Sequence, residues 1–131
     1  MFGSIVGCIE DKSWHVKCYA IIALGNLGDL RASEPLNKIL SNTEEVSLRE
    51  YAARALGKLG NAHDLKTLIT CMLDKNQDMN VRKSAATALG NAHEASAVGP
   101  LMSLFSTNWD FHVSPAAGEA LSELSKSAAE P

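Results

Sequence analysis

Long apolar runs are missing from this chain, which removes one class of protein at the outset. No stretch approaches the roughly 18 consecutive apolar residues of a membrane-spanning helix. The N-terminus has no basic region followed by an apolar stretch, so nothing there reads as a secretory signal. Cysteine is sparse, and Cys8, Cys18 and Cys71 are odd in number with no CxxC pair among them. Reduced thiols in a cytoplasmic protein are the simplest account. Positive charge is in deficit: 12 Lys and Arg against 15 Asp and Glu leave a net charge of −3. Such a field repels nucleic acid and anionic membrane, so neither is expected as a partner. Motifs for chemistry are absent too. There is no GxGxxG after a strand, no P-loop and no GxSxG, so the residues call for no cofactor and assign no catalytic group.

What the chain does contain is a repeat. Val81-Arg82-Lys83-Ser84-Ala85-Ala86-Thr87-Ala88-Leu89-Gly90 has counterparts at Val16–Gly25, Leu48–Gly57 and Val113–Ser122, with starts 32, 33 and 32 residues apart. That period is the mark of a solenoid of helix pairs. At 131 residues, 46% hydrophobic and 21% charged, the chain reads as one soluble domain.

Each copy reads as a long first helix. Counted from its first residue at about 100° per residue, Ala20, Ala52, Ala85 and Ala117 share one side with Ala23, Ala55, Ala88 and Ala120 and with Leu24, Leu56, Leu89 and Leu121. This is a core stripe, with small residues where another helix comes close. A second apolar strip holds Trp14, Val46, Met79 and Phe111 with Ile21, Ala53, Ala86 and Gly118. An arc that wide needs two neighbours, a partner helix and the next repeat. Glu50, Lys83, Arg54, Thr87, Lys58, Asn91 and Glu123 fall on the exposed arc. Asp11, Thr43, Asn76 and Asn108 are placed as N-caps.

Gly28 and Gly60 stand where a left-handed C-terminal residue is wanted, and His93 is their counterpart. Gly25, Gly57 and Gly90 sit inside the last turns at a cost of roughly 1 kcal/mol each, which the close approach of a neighbouring backbone would offset. Shorter second helices are expected near Arg31–Leu40, Asp64–Leu73 and Ala97–Phe105, with Pro35 and Pro100 in their first turns. Residues 1–10 resemble a second helix. Ser114-Pro115 delays the last first helix, with Ser114 as its cap, and a polar tail follows from Ser125. The expected domain spans 1–131, with repeat cores near 11–41, 42–74 and 75–106 and half-repeats at 1–10 and 107–125. Its ends are either atypical caps or cuts in a longer array.

The run Leu48-Arg49-Glu50-Tyr51-Ala52-Ala53-Arg54-Ala55-Leu56-Gly57-Lys58-Leu59-Gly60, with Gly28-Asp29 and Pro35-Leu36, resembles the HEAT-like repeat of the phycobilisome-lyase type. The resemblance covers nearly the whole chain. It implies an all-α, right-handed α-solenoid of antiparallel helix pairs, about three full repeats plus a half-repeat at each end. First helices would lie on the convex side and second helices would line the concave side. It does not settle activity, since such repeats occur in bilin lyases, hydroxylases and scaffolds. Deoxyhypusine hydroxylases of this class carry His-Glu pairs on their first helices to hold iron. The corresponding helices here carry none.

Three groups invite chemistry. Lys17, Arg49 and Arg82 share a position inside the buried arc, where a ladder bonding loop carbonyls or acids such as Asp29 is expected rather than a phosphate column. His63-Asp64 and His93-Glu94 each follow Gly-Asn-Ala, but they do not align by repeat, so no metal site is assigned. Cys71 is expected in the core and Cys18 on the exposed arc, with no base to activate it. Surface recognition remains. Asn37, Ile69 and Met102, followed by Lys38, Thr70 and Ser103, are expected to point onto the concave face and receive a protein or peptide partner. Trp109 occupies a slot that is polar in the other copies, where it either covers the end of the stack or serves as an aromatic contact point for the partner. Cys18, Tyr19 and Ile22 form a smaller apolar spot. The expected function is a non-catalytic interaction scaffold. The alternative is a subunit or fragment of a bilin lyase-type enzyme, and pairing of copies through the end repeats is also open.

Overall fold

The computed structural model describes residues 2–9, 11–42, 45–106 and 114–129. Among these there are only helices, turns and short connections. First helices are α2 (Trp14–Leu27), α4 (Val46–Leu59), α6 (Met79–Asn91) and α8 (Ser114–Ala129). Second helices are α1 (Phe2–Cys8), α3 (Ser33–Asn42), α5 (Ala62–Leu73) and α7 (Val98–Ser106). The result is the right-handed α-solenoid expected, with α1 and α8 as its half-repeat ends.

The core stripe is where the periodicity puts it. Leu24, Leu56 and Leu89 are fully buried, as are Ala52, Ala85 and Ala117. Leu36, Leu68 and Leu101 meet them from the second helices. Along the row of first helices the backbones touch. A Cβ on Gly25 would stand 2.9 Å from Ala55 Cα, and one on Gly90 would stand 2.6 Å from Ala120 Cα. The missing side chains therefore let each first helix settle directly on the next. Second helices pack on the first helices of the following repeat, α3 on α4, α5 on α6 and α7 on α8, but touch one another only slightly.

That asymmetry reverses one expectation. A stack whose units meet at the backbone on one row and scarcely meet on the other bends towards the tight row. The first helices therefore form the inner side and the second helices the outer. The small residues at the first-helix junctions are the physical reason.

Several local expectations shift. The N-caps stand two residues later than placed: Ser13 Oγ accepts from Val16 N, and Asp78 Oδ1 from Asn80 N at 2.8 Å. Asp11 instead accepts from Ser13 N at 2.8 Å and Asn76 N donates to Asp74, each holding the turn before the cap. Glu45 caps α4 with no side-chain bond. Thr43, Asn108, Phe111 and Trp109 lie outside the described residues. Trp14 and Met79, at 38% and 42% exposed, sit at the rim rather than in a buried strip. They begin their helices, and the Trp14 indole N–H still donates to the Ser47 hydroxyl at the start of α4, at 3.0 Å. Helix α8 begins at Ser114 as the Pro115 argument requires, but it runs on to Ala129, where a polar tail was expected. No helix-breaking residue intervenes there, and Leu124 anchors the added turns in the core. Both αL glycines are confirmed, Gly28 at φ 69° and Gly60 at φ 66°, and their counterpart His93 takes φ 56°.

Candidate functional site

The residues expected to bind a partner divide into two groups. Asn37 is committed to the fold: its Nδ2 donates to Asp64 Oδ1 at 2.9 Å and to the Ser33 carbonyl at 2.9 Å. Ile69 is half-buried and packs against the core. Both are half-buried where exposed positions were expected: Asn37 of α3 is drawn to Asp64 of α5, and Ile69 of α5 packs on the core. Lys38, Thr70, Met102 and Ser103 are exposed on the outer row, Met102 at 58%. Lys38 is 3.6 Å from Glu34 one turn away, and the Thr70 hydroxyl donates to the Lys66 carbonyl. They are separate ridges, since their helices hardly meet.

The charged column is partly the predicted ladder. Arg82 is buried and its Nε donates to the Met72 carbonyl at 2.8 Å, while an Arg49 Nη donates to Gln77 Oε1. Each guanidinium ties its own first helix to the segment leading into the stack junction. Asp29 takes no part. It binds Arg31 at 2.7 Å, and those hydrogen bonds hold its carboxyl below the usual carboxylate range. Arg31 in turn lies over the Phe2 ring at 4.3 Å, tying α1 to the first full repeat. Cys18 is buried rather than exposed, with burial and then Glu45 pushing its thiol upward, so it does not join the apolar spot. The start of α4 closes over it. Cys71 lies in the core as expected, and burial pushes its thiol up to about 11.

A polar node joins α3 to α5. Asp64 is completely buried, accepting from the Ser33 hydroxyl at 2.6 Å and from Asn37. Its Oδ2 has no hydrogen-bond partner among the described residues. His63 Nδ1 stands 3.9 Å from Asp64 Oδ1 but is itself on the surface. Among the described residues no three His, Cys, Asp or Glu side chains gather where a metal ion could be held.

The inner face carries a continuous surface that outward-facing residues alone had not picked out. Successive first helices leave three clefts. The cleft between α2 and α4, of about 210 Å³, is lined by Ile22, Tyr51, Arg54 and Lys58. The next, between α4 and α6, shares Arg54 and Lys58 and adds Thr87 and Asn91. The last, between α6 and α8, runs from Thr87 and Asn91 to Glu119 and Glu123. Arg54 stacks 5.5 Å over the Tyr51 ring, and Lys58 Nζ donates to Asn26 Oδ1 at 2.6 Å across the repeat boundary. The signal in the sequence was one of register. These residues stand at the sixth and tenth positions after each repeat start, in aligned columns.

A family model for HEAT repeats matches residues 5–80, more than half of the chain. The chain belongs to the HEAT repeat family. Solved HEAT-like structures resemble it along nearly its whole length. Human deoxyhypusine hydroxylase aligns over 99% of this chain and 46% of its own, at 21% identity and a TM-score of 0.82. The complex of CpcE and CpcF of phycocyanin lyase from Nostoc sp. PCC7120 aligns over 98% and 55%, at 24% identity and a TM-score of 0.75. An engineered protein aligns over 95% and 62%, at 23% identity and a TM-score of 0.64. At these identities the likeness establishes the fold, and this HEAT repeat chain spans about half the length of the structures it matches. No curated protein matches its sequence. No described helix is long and apolar enough to cross a membrane.

Proposed function

We propose that this chain is a non-catalytic scaffold that holds a protein or peptide partner against the inner face of its first helices. One observation carries the reading: three consecutive clefts share lining residues, and most of the shared side chains are exposed. Arg54, Lys58, Thr87, Asn91 and Glu119 are exposed, and they stand around small residues, Ala55, Gly57, Ala88 and Ala120, where the first helices meet. Exposed polar and aromatic groups aligned over several repeats are what extended recognition by a solenoid requires. Lys38, Thr70, Met102 and Ser103 on the outer ridges, and pairing of copies through the end repeats, are secondary surfaces in this reading. We take residues 1–131 as one repeat domain in a cytoplasmic protein, with cores near 11–41, 42–74 and 75–106.

A second reading is favoured by one likeness. The phycocyanin lyase neighbour is a complex of two chains, CpcE and CpcF, so this chain would be one subunit or fragment of a bilin lyase-type enzyme. Here too the protein contact is needed.

The deciding experiment is affinity capture from host lysate with wild type, an Arg54→Glu/Lys58→Glu variant and an outer-face Thr70→Glu/Met102→Glu variant, each shown folded by circular dichroism. A protein kept by wild type and the outer-face variant but lost by the inner-face variant supports the scaffold. Loss only in the outer-face variant overturns the choice of face. A bound tetrapyrrole retained by all three moves the lyase-subunit reading forward.

A further inference from the structure

The inner face is graded in charge along the stack, and the grading restricts what can lie on it. At the sixth position after each repeat start stand Ile22, Arg54, Thr87 and Glu119; at the tenth stand Asn26, Lys58, Asn91 and Glu123. The face therefore passes from apolar and neutral on α2 to basic on α4, neutral on α6 and acidic on α8. Among the described residues no opposite charge is paired with Arg54, Lys58 or Glu119. Lys58 is held by a neutral amide, Asn26, and Arg54 by the Tyr51 ring. On α8, Lys126 lies 3.3 Å from Glu123 one turn away, and Glu119 is exposed. Glu50, half-buried at the edge of α4, offsets part of that helix's basic charge, and Lys83 is a half-buried cation at the edge of α6, while the exposed charges of the face remain Arg54 and Lys58 on α4 and Glu119 on α8.

We propose that the inner face binds an extended segment of another protein that carries an acidic residue at α4 and a basic residue at α8. This rests on the scaffold reading above and names the partner's chemistry. Packed helices lie about 8–10 Å apart, so Arg54 and Glu119, two helices apart, span roughly 15–20 Å. An extended chain covers that in about five or six residues at about 3.3 Å per residue. The clefts are small, about 210 Å³ at Ile22 and Tyr51 and about 300 Å³ and 260 Å³ in the next two, room for side chains rather than for a helix about 10–12 Å across. An apolar side chain beside the acid would fill that first cleft. Charges so arranged select orientation and partner more than they add raw affinity.

Twelve-residue synthetic peptides test this by fluorescence anisotropy. One carries Phe-Glu followed by Lys five residues after the Glu. The other two carry acid at both places or base at both. The mixed-charge peptide should bind at least about tenfold more tightly than either control at low salt, with the difference shrinking at high salt. Arg54→Glu/Lys58→Glu should lose that peptide about tenfold and gain the doubly basic one. Glu119→Lys should do the reverse with the doubly acidic peptide, and Glu119→Gln should lose preference without gaining any. Equal binding of the three peptides, or preferences unmoved by charge reversal in folded variants, overturns the proposal. If no peptide binds while lysate capture is still abolished by Arg54→Glu/Lys58→Glu, the gradient is wrong and the scaffold stands.

Discussion

Gly57 of α4 lies directly against Ala88 of α6: a Cβ built on Gly57 would stand 2.5 Å from Ala88 Cβ and 3.1 Å from its Cα. Neither atom can swing aside, since one belongs to the backbone and the other is fixed to it. Replacing Gly57 with Ala should therefore destabilise the stack by about 1–3 kcal/mol through overpacking, despite the helix propensity it gains. Gly99 of α7 has nothing within 4 Å of its built Cβ. Gly99→Ala should raise stability by about 0.5–1 kcal/mol. Urea unfolding of the two variants checks the opposite signs. Equal effects would sink the backbone-contact account.

His93 occupies, at φ 56°, the place that Gly28 and Gly60 fill in the earlier repeats. A side chain there is held in left-handed backbone at a cost of about 1 kcal/mol. His93→Gly should stabilise by up to that amount, and Gly60→Ala should destabilise by about as much. Thermal midpoints of the pair report both.

Asp64 keeps two donors occupied in the α3–α5 junction. Asp64→Ala would remove the acceptor of the Ser33 hydroxyl and one of the acceptors of the Asn37 amide, which keeps the Ser33 carbonyl, and should cost about 1–3 kcal/mol. Replacing all three together, as Ser33→Ala/Asn37→Leu/Asp64→Leu, should cost less than Asp64→Ala alone. If the triple variant is the less stable, the node contributes more than satisfaction of its own donors.

Asp29 titrates below its ordinary value of 3.8 because Arg31 bonds its charged form. A carboxyl shifted downward adds stability above its unfolded value, and that stability is lost as pH falls through the folded one. Asp29→Asn should therefore be less stable than wild type near neutral pH, with the gap closing as pH drops below about 4. Cys71 behaves oppositely at the alkaline end. Its thiol is pushed from 9.0 up to about 11 by burial, so its contribution is intact below 9 and fades as pH rises towards 11. Cys71→Ala should lose less stability than wild type over that alkaline window. Native alkylation at pH 8 should spare both Cys18 and Cys71 relative to the half-buried Cys8.

The repeat, its period and the helix faces were legible in the chain because they are local. A 3.6-residue turn with Ala and Leu at fixed places makes one stripe whatever surrounds it. Gly25, Gly57 and Gly90 even announced a close approach, and the αL positions at Gly28, Gly60 and His93 follow from helix termination. Which row of helices is inner is not local. It depends on how near two axes come in three dimensions, and only the stacked backbones at the glycine–alanine contacts decide it. The same holds for Asn37, Ile69 and Cys18, each exposed when its own helix is considered alone and each half-buried or buried in the folded stack. The graded columns from Ile22 to Glu119 were in the sequence as register, but they became a surface only when the folded stack set them side by side.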